Sequence, residues 1–189
     1  MIKKEIRDIY RAKRKTIAAS QKMKWDDLIL IRFQQLQLPP IKNVFSFFPM
    51  EQENEVETSG ITSYLQFINP DLQVAYPVSN FASYTMQAVI VNEETVLGLN
   101  KYGIPEPEDN QIMPPEIIDL ALIPLLCFDK QGYRVGYGKG FYDRFLTQTN
   151  SEIIKIGLSY FEPIDKIADS SNFDVTLNYC VTPEKIYEF

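Results

Sequence analysis

Apolar residues recur at helical spacing from the start of the chain. Ile2, Ile6, Ile9, Tyr10 and Ile17 share one face and predict an amphipathic helix over residues 2–18. Lys3, Arg7, Arg11 and Arg14, at i, i+4, i+8 and i+11, form a basic stripe beside that face. Ser20 suits the N-cap of a second helix that runs to about Leu36, with Trp25, Leu28, Ile29, Phe33 and Leu36 inward. Pro39 and Pro40 stop it, because proline cannot continue a helix.

Beyond the prolines the pattern shortens. "NVFSFFP" (43–49) is β-branched and aromatic and predicts a strand. "EQENEVETSG" reads as a polar loop, and Ile61, Tyr64, Leu65 and Ile68 mark a third helix. "LQVAYPV" (72–78) and "MQAVIV" (86–91) predict two more strands. Residues 97–115 form a long connection thick with Pro and Gly, a length that predicts a functional or tightly tucked segment. "IIDLALIPLLCFD" (117–129) is a continuous apolar run of the kind buried on both faces, interrupted at Pro124. A glycine-rich stretch and a short helix to Leu146 follow. "EIIKIGLSY" (152–160) and "DVTLNYCVTP" (174–183) complete the strands.

Strands alternating with helices predict an α/β fold: a mostly parallel, mixed sheet with helices on both faces, Rossmann-like in its three layers. At 189 residues, 45% of them apolar, the chain suits one well-packed core and hence a single domain over 1–189. Ligands of such sheets sit off the carboxyl ends of the strands. The glycine-rich stretch follows the most apolar strand and falls at such an end.

Charge and composition narrow the chemistry. The chain has no histidine, which removes Ser-His-Asp and Cys-His machinery and the usual Cys/His zinc sites. Cys127 and Cys180 lie far apart in apolar company and read as reduced, buried and structural. No apolar run approaches the ~18 residues of a membrane span, and the first residues lack the apolar core of a signal peptide. A cytoplasmic protein with no membrane partner is expected. The net charge of −6 is uneven: residues 1–24 carry nine Lys/Arg against two acids, so the rest of the chain stands at −13. An acidic body argues against nucleic acid as a partner, while the basic amino-terminal element suits a solvated face or a local anion site.

The stretch "RVGYGKGFYDRF" (134–145) concentrates the candidate chemistry. It is not a Walker A loop: Tyr133 stands where the first glycine belongs, and Gly140 replaces the hydroxyl. Nor is it the G-x-G-x-x-G fingerprint, since the third glycine, Gly140, comes one residue early. The underlying physics still applies. Gly136, Gly138 and Gly140 permit positive φ and let N–H groups converge on an anion. Arg134 and Lys139 add positive charge, and the helix start beyond adds its dipole. Asp143 in the first helical turn suits either a cap or a metal ligand.

At these residues the chain resembles the 5-formyltetrahydrofolate cyclo-ligase family, also called 5,10-methenyltetrahydrofolate synthetases. "GYRVGYGKGFYDRFL" (132–146) follows a signature close to G-x-R-[LI]-G-x-G-x-G-[YF]-Y-D-R-x-L, with Val135 as a mild substitution. "KKEIR", "NEVET" (54–58), "KYGIPEP" (101–107) and "FDVTLNYCVTPEKIY" agree in order. The resemblance implies a monomer that uses ATP and Mg2+ to convert 5-formyltetrahydrofolate to 5,10-methenyltetrahydrofolate, with ADP and phosphate released. It implies ATP-phosphate contacts from Lys3 and Arg7, and a nucleotide loop of Arg134, Gly136, Tyr137, Gly138, Lys139, Gly140, Phe141 and Tyr142. In that loop Arg134 and Lys139 would stabilise charge during transfer. It also implies folate contacts from Met50, Glu55, Tyr137 and Phe141, and Mg2+ association at Asp143 and Asp174. Arg11 and Arg14 are expected to stay solvated. Two positions depart from the family pattern: Phe173 stands where a histidine is frequent, and Asn178 where a further aspartate is.

Overall fold

The computed structural model describes residues 1–100, 103–108 and 111–189. Among these, four helices and twelve strands follow in order: α1 (Lys3–Lys15), α2 (Ala19–Phe33), β1 (Asn43–Phe45), α3 (Ser59–Ile68), β2 (Gln73–Asn80), β3 (Thr85–Ile90), β4 (Leu97–Leu99), β5 (Pro105–Pro107), β6 (Ile112–Met113), β7 (Leu120–Pro124), β8 (Cys127–Phe128), β9 (Arg134–Val135), α4 (Phe141–Leu146), β10 (Ile154–Leu158), β11 (Tyr179–Val181) and β12 (Ile186–Glu188). Eight strands make one mixed sheet in the order β12-β11-β10-β7-β1-β2-β3-β6. The five central strands, β11 to β2, run parallel. Antiparallel strands close both edges. The mostly parallel α/β architecture matches the expectation from alternating elements.

The pleat decides which residue faces which layer. In β7, Leu120 and Leu122 pack toward α2 and α3 with Ile29, Phe33, Ile61 and Leu65. Ala121 and Ile123 face the other way, toward Phe145 and Leu146 of α4. Val44 and Phe45 of β1 divide in the same manner. Burial on both faces explains why β7 reads as an unbroken apolar run rather than an alternating one.

Local features depart from the expected boundaries for identifiable reasons. Ser20 is not the N-cap of α2; Ala18 is, without a side-chain bond. Gln34–Leu36 leaves the helix in a tight turn, with Leu36 still packed on the core. Ile68 is exposed although it falls on the expected face, because α3 ends there. The predicted strands shrink to their hydrogen-bonded centres, and β7 stops at Pro124, which has no N–H to continue a ladder. The run to Asp129 is completed by a separate hairpin, β8–β9. Asp129 organises its turn by accepting N–H groups of Gln131 and Tyr133 on Oδ1 and of Ile167 on Oδ2. The long connection folds into the β4–β5 hairpin and β6. Lys101 and Tyr102, which carried part of the resemblance, lie outside the described residues.

Helix α1 lies across the β8–β9 hairpin. Ile6 and Tyr10 are buried against Leu126, Cys127, Val135 and Ile167, while Ile2 and Ile9 remain exposed. Its start is held from both sides: Glu5 accepts the Ile2 N–H, and Asp169 accepts the Lys3 N–H at 2.7 Å. This docking turns the basic stripe toward the glycine-rich loop.

Candidate active site

The carboxyl ends of β1, β2 and β7 open into a cleft of about 570 Å³. Phe47 and Phe48 follow β1, Pro77 and Ser79 lie in β2, and Pro124 ends β7; all five line it. The glycine-rich loop forms one wall and the α1 stripe the rim above it. The residues expected to contact ATP, folate or metal all line this one cleft: Lys3, Arg7, Met50, Glu55, Arg134, Gly136 to Asp143, and Asp174. Residues 171 apart are thus brought into contact, as in the pair Lys3–Asp174.

The loop's backbone is shaped for an anion. Gly138 (φ 87°) and Gly140 (φ 68°) adopt left-handed conformations. The positive φ of Gly138 favours glycine, and a Cβ there would stand 2.9 Å from the Arg7 guanidinium carbon and push that side chain aside. Arg7 Nε donates to the Gly136 carbonyl at 3.0 Å and props the loop from outside. Among the described residues, none of the N–H groups from Gly136 to Gly140 finds an acceptor. The helix beyond, α4, has six residues, so its dipole adds less than the sequence suggests. The unpaired N–H groups and the flanking cations carry the positive character instead.

The cations are held in different ways. Lys3 Nζ contacts both Asp174 carboxylate oxygens at 2.6 Å. Arg134 is buried, donates to the Val175 carbonyl, and pairs with Asp143 Oδ1 at 2.8 Å. The ammonium of Lys139 is exposed and has no partner among the described residues. Arg11 pairs with Glu53 at 3.2 Å. Arg14, expected in solvent, is 3% exposed; it donates to the Leu125 carbonyl and to the Tyr137 hydroxyl. Helical spacing placed it on the stripe, but the docking of α1 onto the hairpin and loop covers that end.

The opposite wall is aromatic and acidic. Phe48 stacks on Tyr76 with ring centroids 3.9 Å apart, and Phe81 meets Phe141 edge-on at 5.2 Å. Glu55, which follows a 3-10 turn at Glu51–Glu53 and a left-handed Asn54, is 2% exposed. Its Oε2 accepts the Met50 N–H at 2.7 Å and its Oε1 the Tyr137 O–H at 2.5 Å. Burial pushes the Glu55 carboxyl above its ordinary value, against the pull of these two bonds and of Arg14. Burial also pushes the Tyr137 and Tyr142 phenols far up, so both remain neutral donors. For Asp174, burial pulls upward, but the Lys3 ammonium and the Ser171 N–H outweigh it and hold the group below its ordinary value.

Asp143 and Asp174 are tied together, since Asp143 Oδ1 also accepts the Val175 N–H. Among the described residues, no group of three or more His, Cys, Asp or Glu side chains is placed to hold a metal. Two carboxylates fit Mg2+, which takes one or two protein oxygens and completes its shell with water and phosphate. Asn178 does not line the cleft: its Oδ1 accepts the Lys155 N–H at 2.9 Å, within the sheet. The departure at that position is structural. Phe173 is exposed beside Asp174.

A family model described as the 5-formyltetrahydrofolate cyclo-ligase family matches residues 1–183. The chain belongs to that family. A 5-formyltetrahydrofolate cyclo-ligase of Haemophilus influenzae is 32% identical over 122 residues, 63% of this chain and 64% of that protein. One from Mycoplasma pneumoniae is 41% identical over 78 residues, 41% of this chain and 46% of that protein. The chain thus spans less than two thirds of the length of these curated relatives in the matched regions. A solved 5,10-methenyltetrahydrofolate synthetase from Aquifex aeolicus shares the fold, with a TM-score of 0.82 at 23% identity, over 100% of this chain and 93% of that one. A second, from Mycoplasma pneumoniae, has a TM-score of 0.77 at 27% identity, over 97% and 99% of the two chains. Family membership and the α/β fold agree with the reading of the glycine-rich stretch.

Proposed function

We propose that the protein is a 5-formyltetrahydrofolate cyclo-ligase that couples ATP hydrolysis to closure of the 5,10-methenyl ring. The observation that carries this reading is a single cleft combining an unpaired N–H loop, a free lysine and a buried carboxylate beside aromatic rings. In this reading the formyl oxygen of the folate attacks the γ-phosphoryl group of ATP and ADP leaves. N10 then attacks the activated formyl carbon, its proton is lost, and the C–O bond breaks with release of phosphate.

The chain's own groups suit these steps without a covalent nucleophile. The N–H groups of 136–140 receive phosphate oxygens, and the Lys139 ammonium neutralises charge that grows on the transferred group. Lys3 and Arg7 meet the remaining phosphates from α1. Arg134, engaged by Val175 and Asp143, acts by fixing Asp143. Asp143 and Asp174 would hold Mg2+, which supplies charge neutralisation to the phosphates when bound. Phe141, Tyr137 and Met50 wall the folate, and Glu55 accepts hydrogen bonds from its N–H groups. Two free, buried cysteines, with the Cys127 thiol pushed up to about 11 by burial, suit a reducing cytoplasm. The working unit in this reading is a monomer.

Mixing the protein with 5-formyltetrahydrofolate, ATP and Mg2+ should produce the near-ultraviolet absorbance of the methenyl product. The rise should vanish when ATP is omitted; a preparation that gives no ATP-dependent rise overturns the assignment.

A further inference from the structure

Arg14 is a buried cation on a helix face that its sequence spacing assigns to solvent. Its Nη1 donates to the Leu125 carbonyl at 3.1 Å, one residue past β7, and its Nη2 donates to the Tyr137 hydroxyl. Its Nε has no partner among the described residues. Tyr137 in turn donates to Glu55. We propose that Arg14 is a positioning residue: acting through Tyr137, it holds Glu55 as an ionised double acceptor on the folate wall of the cleft. The identity of the ligand rests on the cyclo-ligase reading; the state of Glu55 does not.

Donor and acceptor counting carries the argument. Arginine only donates, so its bond fills an acceptor position on the Tyr137 oxygen. The single phenolic hydrogen then points at Glu55 Oε1, while Oε2 receives the Met50 N–H. Both carboxylate oxygens are acceptors. If Glu55 donated to Tyr137 instead, two donors would meet on one phenol oxygen, and the Tyr137 O–H would have no acceptor among the described residues. Charge points the same way. The groups that face Glu55 are Arg14 from α1, Glu53 from the 3-10 turn (itself paired with Arg11), and the neutral phenols Tyr137 and Tyr142. Tyr160 donates to the Glu55 backbone carbonyl. Arg14 is the buried cation of this set, and a neutral Glu55 would leave it buried without a counter-charge. An ionised Glu55 selects a ligand edge with paired N–H donors, such as the amino-amide edge of a pterin; a protonated one would not.

The test uses the whole protein labelled with 13C at glutamate carboxyls. Glu55 is assigned by the resonance lost in Glu55→Gln. In Arg14→Leu and in Tyr137→Phe its titration should move up by about one pH unit or more, as when a carboxylate loses a stabilising charge or bond. Arg14→Lys should return part of the shift. In turnover, KM for 5-formyltetrahydrofolate should rise about tenfold in both variants, the scale of a lost hydrogen bond to a charged group. The rise should be larger at acid pH, and in Arg14→Leu KM for ATP and kcat should change little. The double variant should be no worse than the worse single one, because both cut the same chain. An unmoved Glu55 titration in Arg14→Leu overturns the proposal, as does an equal rise in KM for ATP, which would make Arg14 a packing residue of α1. If Arg14→Leu does not fold, Tyr137→Phe, which keeps the ring, decides alone. A wild-type protein that makes no methenyl product removes the cyclo-ligase reading and leaves the carboxyl titration to judge the Arg14–Tyr137–Glu55 chain.

Discussion

Lys139 and Arg134 bracket the same loop, yet their surroundings assign them different work. The Lys139 ammonium contacts nothing among the described residues, so its charge is available to a ligand. Arg134 is buried and bonded to Val175 and Asp143, so its charge is already in use. Lys139→Met should therefore leave thermal unfolding within about 0.5 kcal/mol of wild type, as for an exposed residue without partners. Turnover should fall by about a hundredfold or more, the scale of a lost charge-stabilising group. Arg134→Met should lower stability by about 2 kcal/mol, because bonds to a charged partner and a carbonyl are lost together. Unfolding curves and initial rates on the two variants separate the roles. Equal destabilisation by both would contradict the division.

At the scale of the element, α1 is the unit that assembles the cleft's cationic side. Ile6 and Tyr10 fix it to the β8–β9 hairpin, and that docking aims Lys3, Arg7, Arg11 and Arg14 at once. Ile6→Ala should cost about 2–4 kcal/mol, since Ile6 is fully buried and its removal leaves a cavity. KM for ATP should rise in the same variant as the stripe loses its seat; thermal unfolding and ATP-dependent initial rates check both. The sequence announced this helix and its stripe because helical periodicity is local. It also announced the strands at 120–124 and 154–158; at 120–124 a parallel strand buried on both faces leaves a continuous apolar run. It did not separate β8–β9 from β7, because what ends β7 is one proline, and the Asp129 that caps the hairpin turn through Gln131 and Tyr133 is itself anchored by Ile167, 38 residues away. It missed β12, three residues paired with β11, for a similar reason: edge pairing is a tertiary fact. The candidate site was legible at the glycine loop, where backbone demands are written as glycine. The burial of Arg14 and Glu55 was not legible. Each depends on what packs over it rather than on its neighbours in the chain.

For the molecule as a whole, the Glu55 and Asp174 carboxyls make pH-dependent contributions to stability whose signs can be worked out. Burial raises the Glu55 carboxyl above its ordinary value of 4.5, so the folded state holds a proton that the unfolded chain has released. Stability therefore falls as pH rises from the ordinary value to the raised one, with a slope of up to about 1.4 kcal/mol per pH unit, and is level above it. Asp174 contributes in the opposite sense. Held below its ordinary value by Lys3 and Ser171, it adds stability that is present above the ordinary carboxylate range and is lost as pH falls through its lowered value. A bare stability curve mixes the two. The difference between Glu55→Gln and wild type isolates the first, because the substituted amide does not titrate and Asp174 cancels. Denaturant unfolding across the acid-to-neutral range should show the variant gaining on wild type with rising pH and then running parallel to it. With Arg14 and Tyr137 in place the divergence should end at the raised value of Glu55. In the Arg14→Leu background it should extend to higher pH, because the carboxyl has lost the cation that opposes its burial. Curves that run parallel throughout in the wild-type background would mean that Glu55 titrates as though exposed.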